Sequence, residues 1–152
     1  MKDINPYVRI TVPGRPIPKG RPRFSKGRAY TPARTAKHEK LIRDEAMVQM
    51  FGKDILTCPV EVFMDFYFPI NKTYSKKKQK EMMEGGYSLT SDKEPVHCMK
   101  KVDLDNLEKL ANDALNGVVF EDDQQIVMLS AWKHWAYPDE GRTIIEVHRI
   151  YQ

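Results

Sequence analysis

The stretch from Val102 to Gln125, VDLDNLEKLANDALNGVVFEDDQQ, sets a short amphipathic helix between two acidic groups. Leu107, Leu110, Ala111, Ala114 and Leu115 recur at i, i+3, i+4, i+7 and i+8. At a helical period these five share an arc of about 140°, and that face goes to a core. Asp105 or Asn106 can accept a bond from a free N–H of the first turn, and Gly117 can take the left-handed conformation that ends the helix. Asp105, Lys109, Asn112 and Asn116 gather on the opposite side, with Lys109 one turn above Asp105.

Ahead of this helix the chain is expected to be extended, returning as a strand over residues 97–102. Asp103 and Asp105 then point the same way, about 7 Å apart. Carboxylates that close raise each other's proton affinity unless a cation lies between them. A hard divalent ion such as magnesium takes carboxylate, water and phosphate oxygens, and such a site activates water for phosphodiester cleavage. Residue types alone leave open the plainer reading, in which Asp105 only caps a helix and Asp122 and Asp123 only make a polar turn. A calcium-binding EF-hand loop is excluded, since Leu107 falls where an oxygen ligand belongs and no Gly-x5-Glu follows.

The ordered runs Asp-Leu-Asp-Asn-Leu-x-Lys from Asp103, Asp113-Ala-Leu-Asn-Gly117 and Asp122-Asp123-x-Gln125-Ile126 resemble the signature of the RusA family of Holliday junction resolvases. The first strand and the basic Arg-Pro-x-Pro-Lys-Gly-Arg-Pro-Arg segment from Arg15 are similar to the longer, phage-type members. The likeness therefore covers most of the chain apart from about residues 70–97. Val102 departs from the proline that many members carry there, a change of backbone rigidity and not of a ligand. The resemblance implies a RusA-like fold and a magnesium-dependent endonuclease, with manganese as the alternative ion. This enzyme makes paired nicks across four-way DNA junctions in recombination and repair, and acts as a homodimer. It implies Asp103, Asp105 and Asp123 as catalytic metal ligands and Lys109 as assisting base or phosphate clamp. Asn106 and Asp122 are expected just outside the ligands, Asp122 orienting its turn or holding a water beyond them.

A chain of 152 residues, 41% hydrophobic and 30% charged, is expected to form one soluble domain over residues 1–152. No apolar run approaches the ~20 residues of a membrane span and no signal-peptide core opens the chain, so cytoplasmic residence is expected. Cys58 and Cys98 fit no metal spacing and read as reduced core thiols. The absence of a P-loop or glycine-rich fingerprint argues against a nucleotide cofactor.

The net charge of +4 conceals a segregation. Between Ile4 and His38 there is no acid, while Arg9, Arg15, Lys19, Arg21, Arg23, Lys26, Arg28, Arg34 and Lys37 all fall there. An acid-free arm beside an acidic site suits a phosphodiester substrate, because the arm neutralises phosphates and the site hydrolyses one. Arg15, Lys19, Arg21, Arg23, Lys26, Arg28 and Arg34 are the expected DNA contacts, carried on a proline-restrained loop over residues 15–30.

Along the rest of the chain, alternation of Val8, Ile10 and Val12 predicts a first strand. Thr31-Pro32 opens a helix with Leu41, Ile42, Ala46 and Met50 on its apolar side up to Gly52. Residues 60–68 alternate as a half-buried strand between Pro59 and Pro69. An insertion or flap follows at about residues 70–97, with Ser75 capping a short polar helix. Residues 125–136 and 143–151 are β-rich and joined through Pro138-Asp139-Glu140-Gly141, which predicts a hairpin. Trp132 and Trp135 are expected as core or interface anchors and not as base-stacking platforms. The sum is an α+β fold, a mixed sheet with helices mainly on one face. Two readings compete with the DNA nuclease: a non-catalytic nucleic-acid-binding module using the same arm, and a metal-dependent nuclease acting on structured RNA.

Overall fold

The computed structural model describes residues 4–77, 79, 80, 98, 101–136 and 140–151. In chain order these form β1 (Val8–Pro13), β2 (Arg23–Ser25), β3 (Arg28–Tyr30), α1 (Ala33–Gln49), β4 (Val60–Pro69), α2 (Leu104–Leu115), a 3-10 turn (Asp123–Gln125), β5 (Ile126–Ala136) and β6 (Arg142–Arg149). One mixed sheet holds four strands in the order β1-β6-β4-β5, and β2 with β3 makes a separate two-stranded ribbon. The architecture is the expected α+β one.

Strand alternation builds the core. Val60, Val62, Met64, Phe66 and Phe68 of β4 turn to the same side as Val8 and Ile10 of β1 and Ile145 and Val147 of β6, meeting Ile42 and Ala46 of α1 and Leu107, Leu110 and Leu115 of α2. Each large side chain fully buried there contributes about 1.5–3 kcal/mol. Cys98 is buried and Cys58 half-buried, both as free thiols.

The final hairpin is not formed. β5 pairs parallel to β4, and β6 lies between β1 and β4, antiparallel to both. β4 thus separates β5 from β6, and Gly141, at φ +94° just before β6, lies against Tyr67 and Pro69 at the end of β4. Pro138 and Asp139 lie outside the described residues. A parallel β4-β5 pair requires a crossover, and α2 supplies it.

Three local expectations are also corrected. Residues 101 and 102 form bends and not a strand, so Asp103 is the extended residue at the N-terminal end of α2 and Asp105 is already helical. Pro32, and not Thr31, occupies the capping position of α1, whose buried face runs Thr35, His38, Ile42 and Ala46 while Leu41 is exposed. Residues 23–30 are a hairpin and not a loop. Lys26 (φ 51°) and Gly27 (φ 74°) both turn left-handed, the two-residue geometry that matches the twist of paired strands. A helical turn does follow Ser75, with the Gln79 amide donating to the Ser75 carbonyl at 2.9 Å. The remainder of the expected flap, beyond residue 80, lies outside the described residues.

Candidate nuclease site and basic ribbon

α2 forms where its apolar spacing demands; of its polar side Asp105 and Lys109 face solvent, while the side-chain oxygens of Asn112 and Asn116 are buried. Asp103 stands at the N-terminal end with an extended backbone, and the Asn106 side-chain amide donates to its carboxylate at 3.4 Å. Asp105 sits in the first turn, where the unpaired N–H groups favour a negative charge. The Lys109 ammonium lies 3.8 Å from the Asp105 carboxylate, as the wheel places it, and both are about two-thirds exposed. Glu108 lies alongside, and its carboxyl is held above the usual carboxylate range by partial burial first and by the Asp105 charge second.

At the far end of α2, Gly117 takes φ +75° and the chain folds back through Val119 and Phe120, both fully buried. Arg43 of α1 reaches over to this end and donates to the carbonyls of Asp113 (3.2 Å) and Asn116 (3.3 Å). The acidic turn follows. Asp122 caps it, its carboxylate accepting from the Gln124 amide at 2.9 Å while its own amide donates to the Gln125 side chain at 3.0 Å. Gln125 in turn donates to the carbonyls of Leu56 (2.8 Å) and Cys58 (3.0 Å), which fixes the turn to the body.

Asp122 is therefore engaged with backbone, and Asp123 is exposed beside it. The Asp123 carboxyl is raised above its ordinary range by desolvation first, then by the charge and hydrogen bond of Asp122 and the charge of Asp113; a backbone hydrogen bond opposes the shift. The donors are the hard oxygens that magnesium takes. Among the described residues, however, no three His, Cys, Asp or Glu side chains converge closely enough to hold a metal ion. Asp103 and Asp105 share one end of α2.

The basic residues gather on the ribbon and its root. Every residue from Arg21 to Thr31 is exposed, and Phe24 is 79% accessible. Arg21, Arg23 and Arg34 line one groove of about 350 Å³, together with Ile17, Pro18, Gly20 and Thr35. Lys26 forms the tip and Arg28 the returning strand; Arg15 is exposed just after β1. Lys19 differs from the rest. Its ammonium is paired with Asp113 at 2.9 Å and Glu39 at 3.5 Å, and its amide donates to the Asn106 carbonyl at 2.8 Å.

Asp113, Glu39 and Glu108 were not singled out by the sequence reading as site residues. A salt bridge between residues 19 and 113 has no local signature; Glu108, next to Asp105 on the wheel, could have been found from helical spacing. Trp135 packs against the core, while Trp132 is exposed. No helix among the described residues is long and apolar enough to cross a membrane.

The comparisons with known proteins bear on the same arrangement. The sequence model of the family Endodeoxyribonuclease RusA matches residues 13–148, from the end of β1 to within β6. A protein of Bacillus subtilis (strain 168), named uncharacterized protein YqaN, is 31% identical over 148 residues, covering 94% of this chain and 96% of its own. The family match thus takes in the basic ribbon, α2 and the acidic turn together, and the chain belongs to the RusA endodeoxyribonuclease family.

Proposed function

We propose that this protein is a magnesium-dependent, structure-specific endodeoxyribonuclease that resolves four-way DNA junctions by paired nicks, in DNA recombination and repair. The observation that carries the reading is the anchoring of an exposed basic ribbon directly on α2, the helix that bears Asp103, Asp105 and Lys109. A ribbon of two strands is narrow enough to enter a DNA groove, and its arginines neutralise phosphates on the way in.

Asp103, Asp105 and Asp123 are the proposed metal ligands, with manganese able to replace magnesium. Carboxylates that share a site repel one another, and a divalent cation between them offsets that repulsion. When bound, the ion supplies an activated water and polarises the phosphodiester. Lys109, exposed beside Asp105, offers a cation to the charge that develops on phosphate. Asp122 holds the turn so that Asp123 faces outward, and Asn106 restrains the Asp103 carboxylate. Arg15, Arg21, Arg23, Lys26, Arg28 and Arg34 contact DNA phosphates. A two-fold junction that needs two cuts is met by a two-fold dimer with one acidic site in each subunit.

The test is incubation of labelled four-way junction with the protein in magnesium, alongside binding in calcium. Symmetric nicks near the branch point support the proposal. A magnesium-indifferent gel shift without product identifies a binding module, and preferred cutting of structured RNA identifies an RNA nuclease. Sedimentation of the free protein at the subunit mass removes the dimer.

A further inference from the structure

The ribbon leaves the body at Pro18, Lys19 and Gly20, and each bond there is specific. The Lys19 amide donates to the Asn106 carbonyl on the first turns of α2, and the Gly20 amide donates to the Thr35 hydroxyl of α1 at 3.0 Å. A Cβ on Gly20 would come within 2.8 Å of that same hydroxyl, so the backbone can seat this closely only without a side chain. The Lys19 ammonium then joins Asp113 of α2 to Glu39 of α1, with side chains 28%, 41% and 23% exposed. Burial works against the lysine's charge, yet the hydrogen bonds and charges of Asp113 and Glu39 outweigh it, and its pKa lies above the ordinary value. The ammonium stays charged and is held by two carboxylates, which compete with phosphate for it.

We propose that Lys19, held between Asp113 and Glu39, is a positioning residue that fixes the angle of the DNA-binding ribbon relative to the carboxylates of α2. The proposal rests on the nuclease reading above, and it reassigns Lys19 from DNA contact to positioning. Its physical basis is leverage. From Gly20 to the Lys26 tip the ribbon reaches about 20 Å at the usual rise of a strand. A swing of about 10° at the root therefore moves the tip by about 3–4 Å, more than an in-line attack on phosphate tolerates. Since all residues beyond Gly20 up to Thr31 are exposed, the root is where the angle is set.

The experiment compares Lys19→Gln, Asp113→Asn, the double variant and Lys19→Arg. Single-turnover nicking of a four-way junction is measured in magnesium at saturating protein, junction affinity in calcium, and exchange of the Lys19 and Gly20 amide hydrogens by NMR. The two single variants and the double variant are expected to lose nicking to the same extent, about tenfold, because all three break one coupled pair. Affinity is expected to stay within about twofold. The two amides are expected to exchange about tenfold faster. Lys19→Arg keeps a cation between the two acids and is expected to restore both readouts.

If Lys19→Gln instead weakens binding and lowers the slope of log affinity against log salt by about 0.9, with Asp113→Asn silent, Lys19 is a phosphate ligand and the proposal is overturned. Unchanged amide exchange in both single variants overturns it as well. A wild-type protein that binds but never nicks defeats the nuclease reading alone, and the exchange measurement still decides whether the pair holds the ribbon.

Discussion

Lys109 and the two adjacent aspartates differ in what surrounds them, and that difference predicts what each substitution does. Lys109 is largely exposed and makes one long contact with Asp105, so its removal costs the fold little. Lys109→Ala is expected to slow nicking by about 100-fold or more with an unchanged melting curve, since the missing charge acts only on the reacting phosphate. Wild-type turnover would make it an ordinary surface residue. Asp123→Asn is expected to abolish nicking in magnesium while junction affinity in calcium stays equal or rises, because one negative charge facing DNA phosphate has gone. Asp122→Asn keeps an acceptor for the Gln124 amide and is expected to lose only about 10 to 100-fold. An inactive Asp122→Asn with an active Asp123→Asn would exchange their roles. The family pattern assigned the turn to Asp122, as the capping bond shows; residue spacing alone could not, because the capping depends on a Gln125 side chain that is itself held by Leu56 and Cys58 far away in sequence.

Among the elements, α2 opens at Leu104, ahead of the Asp105 or Asn106 cap expected, but its buried face and its end were readable because its apolar spacing and Gly117 agree with one another. The ribbon was not. Its prolines favour a restrained loop, and a Lys-Gly turn is a weaker hairpin signal than Asn-Gly, since Lys26 must adopt a left-handed backbone that disfavours a side chain. Its role is testable through salt. Arg21→Ala combined with Arg23→Ala is expected to weaken junction binding and reduce the salt slope by about 1.8, at about 0.9 for each phosphate left without its arginine. An unchanged slope would remove the ribbon from the DNA. α1 carries a different signature, since its buried face begins with Thr35 and His38 in place of aliphatic residues. Burial first, and the Arg34 charge second, lower the His38 pKa below its ordinary value of 6.5. The unfolded chain therefore takes up a proton that the folded chain refuses. His38 contributes stability that is fully present above its unfolded pKa and is lost as the pH falls through its lowered folded value, at no more than about 1.4 kcal/mol per pH unit. Denaturant melts of wild type and His38→Gln below about pH 6.5 should diverge, the variant showing the flatter dependence; parallel curves would mean that His38 is protonated in the fold.

At the scale of the whole molecule, the alternation of β1, β4, β5 and β6 was plain in the sequence, but their order was not. Two β-rich runs with a proline-glycine turn between them look the same whether they pair with each other or straddle a third strand. The straddling arrangement puts Gly141 against the end of β4, where an added Cβ would run into the Tyr67 carbonyl and come within 3.2 Å of Pro69 Cδ. Gly141→Ala is thus expected to destabilise the fold by about 3 kcal/mol or more, through both the clash and the left-handed backbone. A melting temperature within a degree or two of wild type would show that Gly141 is not tightly seated against β4. The central place of β6 has a further consequence. It joins β1 to β4, yet it begins only at Arg142, while β1 begins at Val8. During synthesis the first strand has no partner in the sheet until β6 has been made, and its backbone edge waits unpaired through that interval. Pairings between such distant segments slow folding and extend the time during which an open strand edge can recruit a neighbouring nascent chain. Truncation inside β6 would accordingly leave β1 detached from the sheet and the product prone to aggregate.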